Sequence, residues 1–188
     1  MDVVSLVATE VRGRCEEYKD RSEDHYDFWH EHIKYVYAQS GYLAERYGAE
    51  TEIVLLGALL HDIALVCRVG ERRDHHVQGR SLADDILGRY GYQGAKKDRV
   101  LSCVHNHRSP KNATSLEDLC VADADILAHF DNIPMLFSMA FSQRGAGLPE
   151  LRDWMKASFE YDYRDLSDRT KALFADRYKD ICRIVLGE

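Results

Sequence analysis

The stretch Ile53-Val54-Leu55-Leu56-Gly57-Ala58-Leu59-Leu60-His61-Asp62 decides how this chain is read. An unbroken apolar run from Ile53 to Leu60 fits a helix buried on every side, and it ends on an imidazole followed by a carboxylate. Burying a carboxylate is costly unless a cation or hydrogen-bond donors compensate it. A His-Asp pair at the end of a core helix therefore points to a metal ion.

Around this run the spacing of apolar residues is helical rather than alternating, beginning with Val4, Val7, Val11, Cys15 and Tyr18. The expected fold is all-α. Helices are predicted from about Asp27 to Tyr47, closed by Gly48, and from Thr51 through His61-Asp62 with Thr51 as N-cap. Further helices are predicted over His76–Tyr90, Ala95–His107, Ser115–Phe130 and Ser167–Leu186. Arg68–Asp74 and Arg108–Thr114 read as connections, and Ser115 with Asp118 resembles a capping box. Pro134, Gly145, Gly147 and Pro149 punctuate the later chain, where Tyr161, Tyr163, Phe174 and Tyr178 read as packing residues.

At 188 residues, with 45% hydrophobic residues and three prolines, the chain fits one domain spanning 1–188. A net charge of -7 repels polyanions and argues against a nucleic acid polymer as partner. A small phosphorylated compound stays compatible, because a metal and a few arginines can reverse the field inside a pocket. The five cysteines form no CxxC pair and their number is odd, so they read as reduced thiols. With neither a signal-like start nor an uncharged spanning segment, the expected location is cytoplasmic, without membrane contact. Nothing in the sequence sets the oligomeric state.

A metal site in a helical domain is built from side chains pointing inward from several helices. His32 shares a face with Phe28, Tyr35 and Val36, and His107 follows Val100, Cys103 and Val104 on one face. His105, two residues earlier, points to the opposite side. Asp123 and Asp125 lie in the apolar stretch Val121–Ala128, with His129 one turn beyond Asp125. Periodicity does not choose between the two aspartates. His32, His61, Asp62 and one of them give a mixed nitrogen and oxygen set, which suits Mn, Fe, Co, Ni or Zn.

The elements His32 in Trp-His-Glu-His-Ile, His61-Asp62 in Ala-Leu-Leu-His-Asp-Ile and Asp125 in Asp-Ala-Asp-Ile-Leu resemble the HD-domain superfamily of metal-dependent phosphohydrolases over about Asp27 to Phe130. The resemblance implies an all-helical bundle, a divalent metal ion (Mg included), and hydrolysis of phosphate esters or anhydrides, often of nucleotides. It favours Asp125 as the last ligand beside His32, His61 and Asp62. It also implies that His76 and His107 support a second ion or contact phosphate. One departure is that Leu65 and Val66 stand where several members carry a charged residue.

In the mechanism so implied, Asp62 orients the attacking water while His76 or His107 handles the leaving-group proton. Arg80 and Arg108 grip phosphate oxygens, with Lys34 a further candidate. Two alternatives carry the same residues: a di-iron oxygenase with His76 and His107 as ligands, or a non-catalytic nucleotide-binding regulatory module.

Overall fold

The structure is a computed structural model and describes residues 2–23, 25–144 and 147–187. Among these residues there is no strand. The helices are α1 (Val3–Arg21), α2 (Lys34–Tyr47), α3 (Thr51–Leu60), α4 (Ile63–Val66), α5 (His75–Arg89), α6 (Ala95–Asn106), α7 (Leu116–Asp131), α8 (Ile133–Arg144), α9 (Leu148–Asp165) and α10 (Asp168–Val185). Gly145 lies outside the described residues. None of the described helices is long and apolar enough to cross a membrane.

Helix α3 is the axis of the bundle. Ile53, Val54, Leu56, Ala58, Leu59 and Leu60 are all fully buried, because α1, α2, α6 and α7 pack around it. Its closest approach is at Gly57, where an added Cβ would stand 2.7 Å from the Cβ of Cys103 on α6 and 3.2 Å from a methyl of Val121 on α7. A missing side chain thus sets how near the helices bearing the site can come.

Local signals explain several helix ends. Gly48 closes α2 in the left-handed conformation (φ 76°), its N–H donating to the Ala44 carbonyl. Ser115 and Ser167 cap α7 and α10 by accepting from the backbone N–H of Asp118 and Thr170. Only half of the expected capping box forms. Asp118, fully buried, instead takes hydrogen bonds from Ser102, Asn106 and both the N–H and hydroxyl of Thr114, and so ties the end of α6 to the start of α7.

Two boundary expectations are corrected. Thr51 is the first residue of α3, and the N-cap position is Glu50, whose N–H donates to the Glu117 carboxylate at 3.0 Å. Nor does α3 run through the His-Asp pair: Asp62 (φ -103°, ψ 17°) leaves helical geometry, and α4 begins after it. This bridge conformation swings the Asp62 side chain away from the direction that a continued helix would give it. The segment before α2 also departs from α-helix, as Trp29–Ile33 form a π-helical turn that carries His32. Asn132 at the end of α7 donates to the Glu31 carbonyl and carboxylate, both at 2.8 Å, and pins that turn.

Gly57→Ala is expected to lower unfolding stability by about 1–3 kcal/mol, the usual cost of overpacking a close helix crossing. Urea denaturation measures it, and an unchanged or higher stability would mean that the α3–α6–α7 contact can give way freely.

Candidate metal centre

The π-helical turn, the α3–α4 junction, α5, the end of α6 and α7 bring their side chains together. His32 Nε2 lies 3.1 Å from His61 Nε2 and 3.0 Å from Asp125 Oδ1, and the two imidazole nitrogens are 3.7 and 3.6 Å from Asp62 Oδ2. On the other side of the same carboxylate, Asp62 Oδ1 lies 3.2 Å from His75 Nε2 and 3.7 Å from His107 Nε2, and those two nitrogens are 2.9 Å apart. Asp62 thus stands between two clusters, one oxygen turned to each.

The tautomers follow from local hydrogen bonds. His61 Nδ1 is 2.7 Å from the Ala58 carbonyl, His75 Nδ1 2.7 Å from that of Arg72, and His107 Nδ1 2.7 Å from that of Val104. A carbonyl only accepts, so each Nδ1 carries a hydrogen, and in the neutral ring each Nε2 presents its lone pair to the cluster. The lone pairs of His75 and His107 then face each other at 2.9 Å, beside carboxylate oxygens, with no donor between them. A positive charge relieves this arrangement, either a proton on His75, whose pKa Asp62 raises against the effect of burial, or a metal ion. The donor set, imidazole nitrogen and carboxylate oxygen, fits a divalent metal: His32, His61 and Asp62 with neighbouring Asp125 would hold one ion and Asp62, His75 and His107 a second, while His129 also groups with His32 and Asp125.

Electrostatics agree with the geometry. Burial alone would raise the pKa of both carboxylates, but His61 and His75 hold Asp62, and His32 holds Asp125, well below the usual range. Burial, reinforced by His61, pushes His107 down to about 4, so its ring is neutral near pH 7. His107 is a ligand-type histidine rather than a proton donor.

The residues picked out in the sequence divide clearly. His32, His61, Asp62, His107 and Asp125 meet, and Arg108 lines the adjoining cleft. Asp123 points elsewhere: it accepts from the Ser167 N–H and from the hydroxyls of Ser167 and Thr170, so it anchors α10. His76 is corrected to a position outside the cluster, with its ring 5.3 Å from that of His105, and the place expected for it is taken by His75. The signal was in the sequence, since His75 continues the buried stripe Gly79, Ala83, Ile86 of α5 whereas His76 shares its side with exposed Arg80. Arg80 and Lys34 are likewise not in the cleft. Arg80 is exposed, and the Lys34 ammonium sits 4.7 Å over the Tyr35 ring.

The cleft above the cluster has a volume of about 970 Å³. Arg72 and Arg73, from a segment read as a simple connection, join Arg108 on its rim, and Arg108 donates to the Arg73 carbonyl at 2.8 Å. His129 stacks near His32, 6.0 Å between ring centres, and contacts Asp162 on α9 at 3.0 Å. Burial disfavours charge on this ring, but Asp162 and Asp125 outweigh it and raise its pKa. Met135 and Leu136, from the stretch Asn132–Phe137, also line the cleft. Tyr161, read as a packing residue, is mostly exposed at the cleft edge.

The HD domain family model matches residues 29–129, more than half of the chain and the whole span from His32 to Asp125. The chain belongs to the HD-domain family. It is also similar to Ribonuclease Y of Rubrobacter xylanophilus, with 30% identity over 89 residues that make up 47% of this chain and 16% of that protein. The match therefore spans less than a fifth of that relative's length. In fold, this HD-domain chain is similar to a predicted HD superfamily hydrolase from an uncultured Thermotogales bacterium, with a TM-score of 0.59 and 18% identity over 94% of this chain and 99% of that one.

If the two clusters each hold an ion, wild-type protein reconstituted with Mn or Zn and dialysed should retain about two ions per chain by elemental analysis. His75→Ala should retain about one, and His76→Ala the wild-type number. Equal loss in both variants would reject the assignment of His75.

Proposed function

We propose that this HD-domain protein is a metal-dependent phosphohydrolase that cleaves a small phosphorylated compound, such as a nucleotide, at a phosphate ester or anhydride. The observation that carries the reading is the pair of opposed imidazole nitrogens and the shared Asp62 carboxylate beside a cleft lined by Arg72, Arg73 and Arg108. When bound, a divalent metal lowers the pKa of a coordinated water and polarises a phosphoryl oxygen. The hydrolase description of the structural neighbour and the ribonuclease name of the sequence relative support the same broad chemistry. A net charge of -7, with three arginines at the cleft, favours a small anion over a nucleic acid strand.

The chain's own residues then divide the work. Arg72, Arg73 and Arg108 bind non-reacting phosphate oxygens, Arg108 also fixing the loop through the Arg73 carbonyl. His61, His75 and His107 are locked by their carbonyl partners with Nε2 turned inward. His129, which lines the cleft and is oriented by Asp162, is placed to give the proton to the leaving oxygen. His129 thereby takes the acid role first assigned to His76 or His107.

Two clusters sharing one carboxylate also favour a second reading, oxygen activation by a pair of irons, and iron-dependent oxygen consumption would identify it. For the leading reading, metal-stripped protein resupplied with Mn, Co, Ni, Mg or Zn should release phosphate or pyrophosphate from members of a panel of nucleotides and phosphomonoesters. Asp62→Ala should lower the rate by at least about a hundredfold, and His129→Gln should lower kcat by about a hundredfold. Metal-loaded, folded protein that releases nothing from any of them would reject the hydrolase reading.

A further inference from the structure

A second cavity, of about 280 Å³, contains none of the clustered histidines and aspartates. Arg14, Glu17, Tyr18 and Arg21 of α1 line it together with Cys67 and Arg68 at the end of α4. Three guanidiniums against one carboxylate make it positive in a chain whose net charge is -7. Arg14 has an ion-pair partner outside the cavity in Glu10, at 2.6 Å, but Glu10 is shared with Arg89, so the three groups keep one positive charge. Arg14 Nη1 is left to meet the Cys67 thiol, 3.2 Å away. Among the described residues no ion pair engages Arg21 or Arg68.

A basic residue such as Arg21 in the last turn of α1 needs no ligand to account for it, because it opposes the helix dipole. Arg68 is different. The N–H groups of Arg68 and Val69 donate to the Leu65 and Ala64 carbonyls and close α4, and Arg68 takes the left-handed conformation (φ 56°) that this closure requires. Glycine fills such a position without strain, as Gly48 does after α2, whereas a side chain is strained there. The arginine stands against the preference of its backbone and holds its guanidinium 4.6 Å over the Tyr18 ring. Contact with a ring face leaves N–H donors of the guanidinium for an anion.

We propose that this cavity is a second anion site, separate from the metal-bearing cleft, that takes a small tetrahedral oxyanion: phosphate, or the phosphoryl group of a small molecule, with Arg14, Arg21 and Arg68 as its donors. A carboxylate presents one pair of oxygens and fills one guanidinium fork, whereas a phosphate presents several edges and can satisfy guanidiniums from α1 and α4 together. Tyr18 is the only described residue that lines both cavities, so the site borders the cleft without sharing its charged groups.

Cys67 is a built-in reporter on the cavity wall, and Cys182, a second half-buried thiol on α10, is the control outside it. Alkylation of the protein as purified, followed at each cysteine by peptide mass, reads the cavity locally. The rate with anionic iodoacetate over that with neutral iodoacetamide should be at least about fivefold higher at Cys67 than at Cys182. Inorganic phosphate at about 10 mM, against chloride of matched ionic strength, should slow carboxymethylation of Cys67 at least about threefold and leave Cys182 unchanged. Acetate should protect less. Protection by ethylphosphonate as well as by phosphate assigns the phosphoryl group of a small molecule, and protection by phosphate alone assigns the free ion.

Arg68→Gly removes the guanidinium and relieves the left-handed strain, so it should melt within about 3 °C of the wild type, or higher, yet lose the protection. Arg21→Gln, on exposed surface, should lose it too, and Arg108→Ala, a change in the cleft, should keep it. A Cys67 that neither reagent reaches, no protection by phosphate, equal protection by acetate, protection that survives either cavity change, or protection lost in Arg108→Ala would each overturn the proposal.

Discussion

The structure turns on two carboxylates, buried Asp62 and half-buried Asp125, that face imidazole nitrogens rather than a shell of backbone and hydroxyl donors. Asp123, also buried, shows the alternative on the same helix: three donors from the start of α10 satisfy it, and Tyr47 extends the chain by hydrogen-bonding Thr170 at 2.7 Å. Asp62 has no such shell. Its oxygens face His32 and His61 on one side and His75 and His107 on the other, and three of these rings have spent their N–H on backbone carbonyls. Leaving charges of this kind buried and uncompensated costs several kcal/mol, which a folded domain with typical stability of about 5–15 kcal/mol cannot easily carry. A cation supplied from solution resolves the conflict.

The same local device recurs at each of the three locked histidines. His61 follows the last residue of α3, His75 follows the short 3-10 turn Arg72–Asp74 and His107 follows α6, and each ring reaches the carbonyl three residues earlier. Helix ends leave carbonyls without intrahelical partners, so a histidine placed there gains a fixed tautomer from backbone that needed a donor in any case. The bundle then has only to bring the helix ends together. Gly57 between α3, α6 and α7, the Asp118 cluster joining α6 to α7, and the Asn132–Glu31 contact holding the π-helical turn serve that purpose.

The all-α fold was legible because apolar residues recur at helical spacing and because α3 is apolar all round. His61-Asp62 stood out for the same reason, as polar groups where the pattern demanded none. What escaped the sequence was finer or longer-ranged. Asp62 breaks the helix by one residue, which periodicity does not register. Choosing His75 over His76 required weighing Gly79 and Ala83 as a buried stripe, and small residues announce such a face only weakly. Asp123 and Asp125 each have apolar neighbours, so only the partners on α10 and on the π-helical turn separate them. The cleft wall brings Tyr26 and Phe28 near α2 against Met135 and Trp154 more than a hundred residues later, and nothing local in either segment encodes that meeting.

The central claim is that a bound cation balances the shared Asp62 carboxylate. Metal content per chain, measured by elemental analysis after stripping, reconstitution and exhaustive dialysis, tests it most directly in wild type beside Asp62→Ala. The account predicts tightly retained metal in the wild type and near-complete loss in the folded variant. A wild type that holds no metal, or a variant that holds as much as the wild type, would contradict it.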